Sequence, residues 1–341
     1  MTRSSTTGRL IGRRTFIAGA AALAGMAPAA GLLAQDMPTL RVAYAQGIQA
    51  NFYHALQNGL FEKHGVRVEG TKFDSGPALI TALVSGSVDV GYFGAPALIS
   101  ANARGANLRI FSVANLAGTM AALYVRPGSG ITSVEDLVGR SVATTQNTVA
   151  HIFMQVAFSQ AGIDSSEVEV QLLDPQALVA GYVRGNIDAI WMFASAGARL
   201  ISNGAEIVPS TSATALGLED QGNFIADETF IAANLDTLMR FQAAVDEATP
   251  ITNEDRQAAL GALEGGIGLV GEQAEIILDH MPVAGVTAAD IADPDSPASL
   301  VSPDGLQRIL GVMQDAMVEI GMLDTAQPAD SFITDAVVSA M

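Results

Sequence analysis

Cysteine is absent from the 341 residues, which excludes disulfide staples, thiolate metal sites, a cysteine nucleophile and a lipid-bearing cysteine. Histidine is scarce, and His54, His64, His151 and His280 share no metal-ligand spacing, so no metal and no other cofactor is expected. Basic residues are few, 17 against 35 acidic ones, and a chain this acidic is not expected to bind nucleic acid. Also missing, in any workable context, are a nucleophile elbow, a P-loop, a pair of catalytic carboxylates and a dinucleotide fingerprint. These absences point to a binding protein rather than an enzyme.

The distribution of the few basic residues is informative. Arg3, Arg9, Arg13 and Arg14 precede the first acidic residue, Asp36, and Gly12-Arg13-Arg14-Thr15-Phe16-Ile17 leads into an apolar, Ala-rich run that ends at Ala30. Residues 1–34 therefore read as a twin-arginine export signal, cleaved after Ala29 or Ala34. The run falls short of the roughly 20 residues that cross a bilayer, so a periplasmic chain with no membrane insertion is expected. Beyond the signal, 13 basic against 35 acidic residues leave a net charge of −22, which favours a soluble monomer and says little about fold.

The remainder is long for one core and is expected to form two lobes. Leu40 to Ala45 reads as a buried strand, Asn51 to Lys63 as a helix and Val66 to Phe73 as a second strand, the order of a parallel α/β sheet. An internal repeat supports a second lobe of the same design. Ala78 to Pro96 (ALITALVSGSVDVGYFGAP) aligns without gaps, at an offset of 99 residues, with Ala177 to Ser195 (ALVAGYVRGNIDAIWMFAS). Each copy reads as a helix stopped by glycine (Gly86, Gly185), an aspartate (Asp89, Asp188) and a short apolar strand. The chain is expected to leave the first lobe near 118, through the strand Ala121 to Val125, and to return near Asn223. That makes residues 37–118 with 224–341 one lobe and 119–223 the other, joined by a two-crossover hinge. Helices are expected over Leu235 to Asp246, Glu254 to Val270 and Ser302 to Ile320.

Ligands of open α/β sheets sit beyond the carboxyl ends of the strands. Two loops there have the chemistry of an anion site. Phe73-Asp74-Ser75-Gly76-Pro77 joins a strand to a helix, and Asp74 reads either as an N-cap or as a ligand contact. Thr144-Thr145-Gln146-Asn147-Thr148 precedes the helix that starts near Val149, and offers hydroxyl and amide donors beside a helix N-terminus. His151 either donates to the ligand or is structural. Trp191 either walls the pocket or fills core.

The FDSG at Phe73 to Gly76, the helix through SGSVDVGYFGAP, and GSGITSVEDLVGRSVAT from Gly128 to Thr144 together resemble the nitrate/sulfonate/taurine class of ABC-transporter solute-binding proteins, nearest its taurine and aliphatic-sulfonate branch. The resemblance covers essentially the whole chain beyond the signal and implies a type II periplasmic-binding-protein fold. It further implies capture of a small anionic organic solute, delivery to a transporter permease, and a cleft lined by Gln46, Gly47, Asp74, Ser75, Ala95 and Pro96 on one side. On the other side it implies Thr144, Thr145, Gln146, Asn147, Thr148, His151 and Trp191, with Asn115 and Met192 completing the candidate set. Two departures bear on the ligand. Taurine binders carry an acidic residue after the tryptophan, where this chain has Met192-Phe193, and often a glutamate where it has Leu116. An ammonium group buried without a carboxylate costs several kcal/mol, so the expected ligand is a sulfonate with no obligatory amine, with taurine still open through Asp74. The alternatives are a thiamine-pyrimidine-synthase-like enzyme and an extracytoplasmic sensor of the same fold.

Overall fold

The computed structural model describes residues 37–44, 47–73, 76–117, 121–269, 271–280 and 283–341. The expected export signal, Gln46, Asp74 and Ser75 lie outside the described residues. Eleven strands among the described residues form two sheets: β1 (Thr39–Tyr44), β2 (Arg67–Lys72), β3 (Val90–Phe93), β4 (Leu108–Ala117), β5 (Ala121–Val125), β6 (Ser141–Thr144), β7 (Glu169–Leu172), β8 (Ala189–Phe193), β9 (Glu206–Val208), β10 (Asp220–Asp227) and β11 (Val283–Gly285). The first sheet runs β11-β4-β10-β3-β1-β2 and the second β7-β6-β8-β5-β9.

In each sheet two parallel pairings adjoin an antiparallel strand. β1 pairs in parallel with β2 and β3, and β10 runs against β3 and β4. In the second sheet β6 pairs in parallel with β7 and β8, and β5 runs against β8 and β9. The order β2-β1-β3-β10-β4 thus repeats as β7-β6-β8-β5-β9. The chain passes from β4 to β5 and back from β9 to β10, so each sheet's inserted antiparallel strand stands at a crossover.

Helices cover both sheets: α1 (Ala50–Gln57), α2 (Leu60–Lys63), α3 (Gly76–Val84), α4 (Ala95–Asn102), α5 (Val149–Ala161), α6 (Pro175–Arg184), α7 (Ala194–Ile201), α8 (Glu228–Ala233), α9 (Leu235–Glu254), α10 (Arg256–Ile267), α11 (Glu272–His280), α12 (Ala288–Ala292) and α13 (Arg308–Glu319). Two expected helices are broken. Gly59 takes a left-handed conformation, φ 67°, and splits the first into α1 and α2. Before α13, Gly305 has ψ −128°, so only Arg308 onward is regular α-helix.

The repeat maps onto equivalent pieces. α3 and α6 are followed by left-handed Gly86 and Gly185, then by β3 and β8. Its aspartates have the same task. Asp89 accepts the Arg41 amide at 2.8 Å on β1, and Asp188 accepts the Ser141 amide at 2.9 Å on β6. Each carboxylate tethers the strand that runs parallel to both its neighbours, β1 or β6, and the Ser141 hydrogen bonds hold the Asp188 carboxyl below the usual range.

Packing also ties the halves together. One apolar cluster includes Ile110 of the first sheet with Leu123, Val142 and Trp191 of the second. The other holds Phe52, Phe61, Phe224 and Phe241, with ring centroids of Phe61 and Phe224 each 5.0 Å from that of Phe241. α7 packs on α11, and Arg199 of α7 donates to the Ile267 carbonyl at 3.4 Å. Lys72, at the end of β2, reaches the same carbonyl at 3.3 Å. Both cations meet the negative end of the α10 dipole.

Candidate functional site

The carboxyl end of β1 leads to Gly47 and then to Gln49, which begins α1 but makes no side-chain cap. A Cβ on Gly47 would collide with the Tyr92 ring and with Gln49 Oε1, so backbone, ring and carboxamide are in close contact here. Tyr53 OH donates to the Gly47 carbonyl at 3.1 Å. Tyr92 OH donates to Asn115 Oδ1 at 2.7 Å, and Gly222, which a Cβ would drive into both groups, leaves room for that bond. On the next residue of β10, Asn223 Nδ2 reaches the Phe93 and Gln221 carbonyls only at 3.5 Å.

The second sheet contributes a loop and a helix start. Thr144 ends β6, and the register that pairs Val142 with Ala189 sets Thr144 level with Trp191 on β8, facing α5. Asn147 adopts φ 56°, in the left-handed region that few non-glycine residues enter. Thr148 caps α5 by accepting the His151 amide at 3.4 Å, while its hydroxyl donates to the Thr145 carbonyl at 2.7 Å. The first two amides of α5, on Val149 and Ala150, have no acceptor within the helix. They project the positive end of its dipole.

These two constructions meet. Gly94 caps α4, and a Cβ built on it stands 3.2 Å from Val149 Cγ1. The start of α4, with Ala95 and Pro96 buried, therefore abuts the start of α5. The residues on and beside these strands include polar atoms with no partner: both amide atoms of Gln49, the hydroxyls of Thr144 and Thr145, Trp191 Nε1 and Asn223 Oδ1. All five side chains are buried. Buried polar groups are nearly always paired, because an idle one costs about 1–3 kcal/mol. None of the buried polar residues described carries a permanent charge.

Of the candidate residues, Gly47, Ala95, Pro96, Asn115 and Thr144 to Thr148, with Trp191, fall at the strand ends where the sheets approach. Gln146 is the exposed member of its loop, with Asn147 and Thr148 half-buried. Met192 is turned away, because successive residues of a strand point to opposite faces. It packs in the Phe52 cluster, on the side opposite Trp191. Gln49, Tyr92 and Asn223 join the candidate residues.

His151 is buried, and desolvation holds its imidazole below the usual histidine range. Its Nδ1 accepts the Asn147 amide at 3.4 Å, which leaves the proton of the neutral ring on Nε2. A histidine whose folded pKa is depressed contributes stability that is complete above its unfolded value of about 6.5 and is lost as pH falls through the folded value. Urea denaturation of the ligand-free protein is expected to show a loss between pH 7.5 and pH 5 that shrinks in His151→Gln. An equal loss in both proteins would show that other groups carry it. Asp246 works in the opposite sense, since burial raises its carboxyl above the usual range and acid relieves that cost.

Residues 48–259 match the family model described as NMT1/THI5 like. A taurine-binding periplasmic protein of Escherichia coli (strain K12) is 28% identical over 216 residues, which are 63% of this chain and 67% of that one. A binding protein of Brucella abortus (strain 2308) is 30% identical over 251 residues, 69% of this chain and 73% of the relative. Among solved structures, the alkanesulfonate-binding protein SsuA from Xanthomonas axonopodis pv. citri, bound to MOPS, is similar with a TM-score of 0.71 at 20% identity, over 87% of this chain and 98% of that one. That last likeness is one of fold, the periplasmic-binding-protein fold with its two α/β halves. The chain belongs to the NMT1/THI5-like family.

Proposed function

We propose that the protein is the solute-binding component of an ABC importer, which captures a small organic sulfonate between its two halves and presents it to the permease. The observation that carries the reading is the set of buried, unpartnered polar atoms on Gln49, Thr144, Thr145, Trp191 and Asn223, drawn from both halves. A ligand held among them would satisfy both sides at once. The closed arrangement then gains contacts that the open one lacks, and the equilibrium shifts towards closure. Donors dominate on the second half: two hydroxyls, the indole N–H and the α5 amides. They suit an oxyanion without any cationic side chain.

The halves are assigned as 37–118 with 224–341 and 119–223, hinged at the two crossovers. The site takes in Gln46, Asp74 and Ser75 with the residues placed above. Residues 1–34 would export the folded chain by the twin-arginine route to the periplasm, where it works as a monomer. Among the described residues no helix is long and apolar enough to cross a membrane. No carboxylate is among the buried described residues, which leaves Asp74 as the group to receive an amine, and the amine is read as optional.

Thermal-shift screening of the purified protein tests this. A sulfonate at 100 times its dissociation constant adds about 2.7 kcal/mol to stability, and X-ray scattering at saturation should show a smaller radius than without ligand, an unchanged radius removing the closing mechanism. Stabilisation by carboxylates or nitrate but by no sulfonate would overturn the ligand class. Stronger stabilisation by taurine than by every amine-free sulfonate would overturn the claim about the amine.

A further inference from the structure

We propose that Gln49 selects the group at the end of the ligand remote from the sulfonate, and that this group is a hydroxyl. The inference rests on the sulfonate reading above and makes it specific to hydroxyalkanesulfonates. Gln49 is fully buried, stands where α1 begins without capping it, and lies against Gly47 at the carboxyl end of β1. Neither its Nε2 nor its Oε1 has a partner. Its neighbour Tyr92 is committed to Asn115, so the protein leaves one donor and one acceptor idle, side by side on a single carboxamide.

The complement of that pair is a group that accepts and donates together. A hydroxyl does both, whereas an ammonium has three donors and no acceptor. An ammonium would satisfy Oε1 but leave Nε2 pointing at a cation. An alkyl end leaves both amide atoms idle, and sites built to hydrogen-bond a hydroxyl reject the analogue that lacks it most strongly of all. The sulfonate end is assigned to the opposite wall, where Thr144, Thr145 and Trp191 present donors beside the start of α5.

The experiment is calorimetric titration of the purified protein with ethanesulfonate, 2-hydroxyethanesulfonate and 2-aminoethanesulfonate, and with their three-carbon counterparts. The hydroxy compound of at least one length is expected to bind about 10-fold or more tightly than its alkyl and amino partners, the discrimination of one hydrogen-bonded group. In Gln49→Leu that preference should vanish while alkylsulfonate binding holds or improves. In Gln49→Glu, preference should move to the amino compound. Equal binding of hydroxy and alkyl compounds by the parent protein would overturn the proposal and leave the sulfonate reading standing. So would a Gln49→Leu variant that weakens all ligands by one factor. Failure of all six compounds to bind would remove the sulfonate reading and this inference with it.

Discussion

Gly94→Leu is expected to weaken ligand binding by about 10- to 100-fold while leaving the fold's stability nearly unchanged. Gly94 has φ −77° and ψ 160°, a backbone conformation open to any residue, so the substitution strains nothing locally. What changes is the junction. The added Cβ alone would stand 3.2 Å from Val149 Cγ1 and 3.7 Å from Pro96 Cδ, and the rest of an isobutyl group has to go between the starts of α4 and α5. Overpacking costs about 1–3 kcal/mol when the surroundings cannot yield. Here the two walls belong to different sheets, linked along the chain by two crossovers, so they can part by a small shift of one half against the other without unfolding. The cost is therefore charged to closure, and through closure to ligand affinity at about 1.4 kcal/mol per factor of ten. Titration calorimetry, with scattering at saturating ligand, reads both consequences: weaker binding and a larger radius. Adding Val149→Ala should restore part of the affinity, since it removes the methyls the leucine strikes. Parent-like affinity in Gly94→Leu would mean that ligand capture does not bring α4 and α5 together.

Much of the architecture was legible because it depends on repeated local rules. Gly86 and Gly185 stop helices, and Asp89 and Asp188 follow at the same spacing, so the 99-residue repeat announced two sheets of one design before any strand pairing was known. The start of α5 after Thr148 was legible from cap chemistry. What failed was governed by single residues or by distant partners. Gly59 lies in a stretch with continuous helical spacing, and only its left-handed backbone separates α1 from α2. β11 is three residues long and exists because β4 offers it an edge, a fact of the fold rather than of Val283–Gly285. The site shows the same division. Thr144 to Thr148 announce themselves by composition. Tyr92, in contrast, is buried in the apolar run Val90–Phe93, and its task appears only when Asn115 and Gly222 are brought to its hydroxyl. Gln49 carries no mark in the sequence, and its idle carboxamide is seen only in the fold. Trp191 and Met192 are adjacent in sequence, but strand alternation points them to opposite faces of β8.

Thr144→Val combined with Thr145→Val is expected to move stability and binding in opposite directions, making the ligand-free protein more stable and the complex weaker. Both hydroxyls are buried and neither has a partner, so each costs the ligand-free fold about 1–3 kcal/mol of desolvation with no hydrogen bond in return. Valine has nearly the shape of threonine, and the β-branched side chain suits the end of β6. Little packing is lost as the idle oxygens go. The unliganded double variant should therefore unfold at a higher urea concentration with an unchanged slope, the signature of a gain in stability without a change in exposed surface. If the hydroxyls exist to bind an oxyanion, the same variant gives up two donors to a charged acceptor, each contributing about 1.5–3 kcal/mol. Affinity should then fall by 100-fold or more. Neither half of the result would suffice alone, since a merely structural threonine would lose stability on conversion and a merely peripheral one would change nothing. A double variant that is less stable without ligand, or that binds as tightly as the parent, would show that these hydroxyls are not held in reserve for the ligand. The cost of keeping them idle would then need another cause.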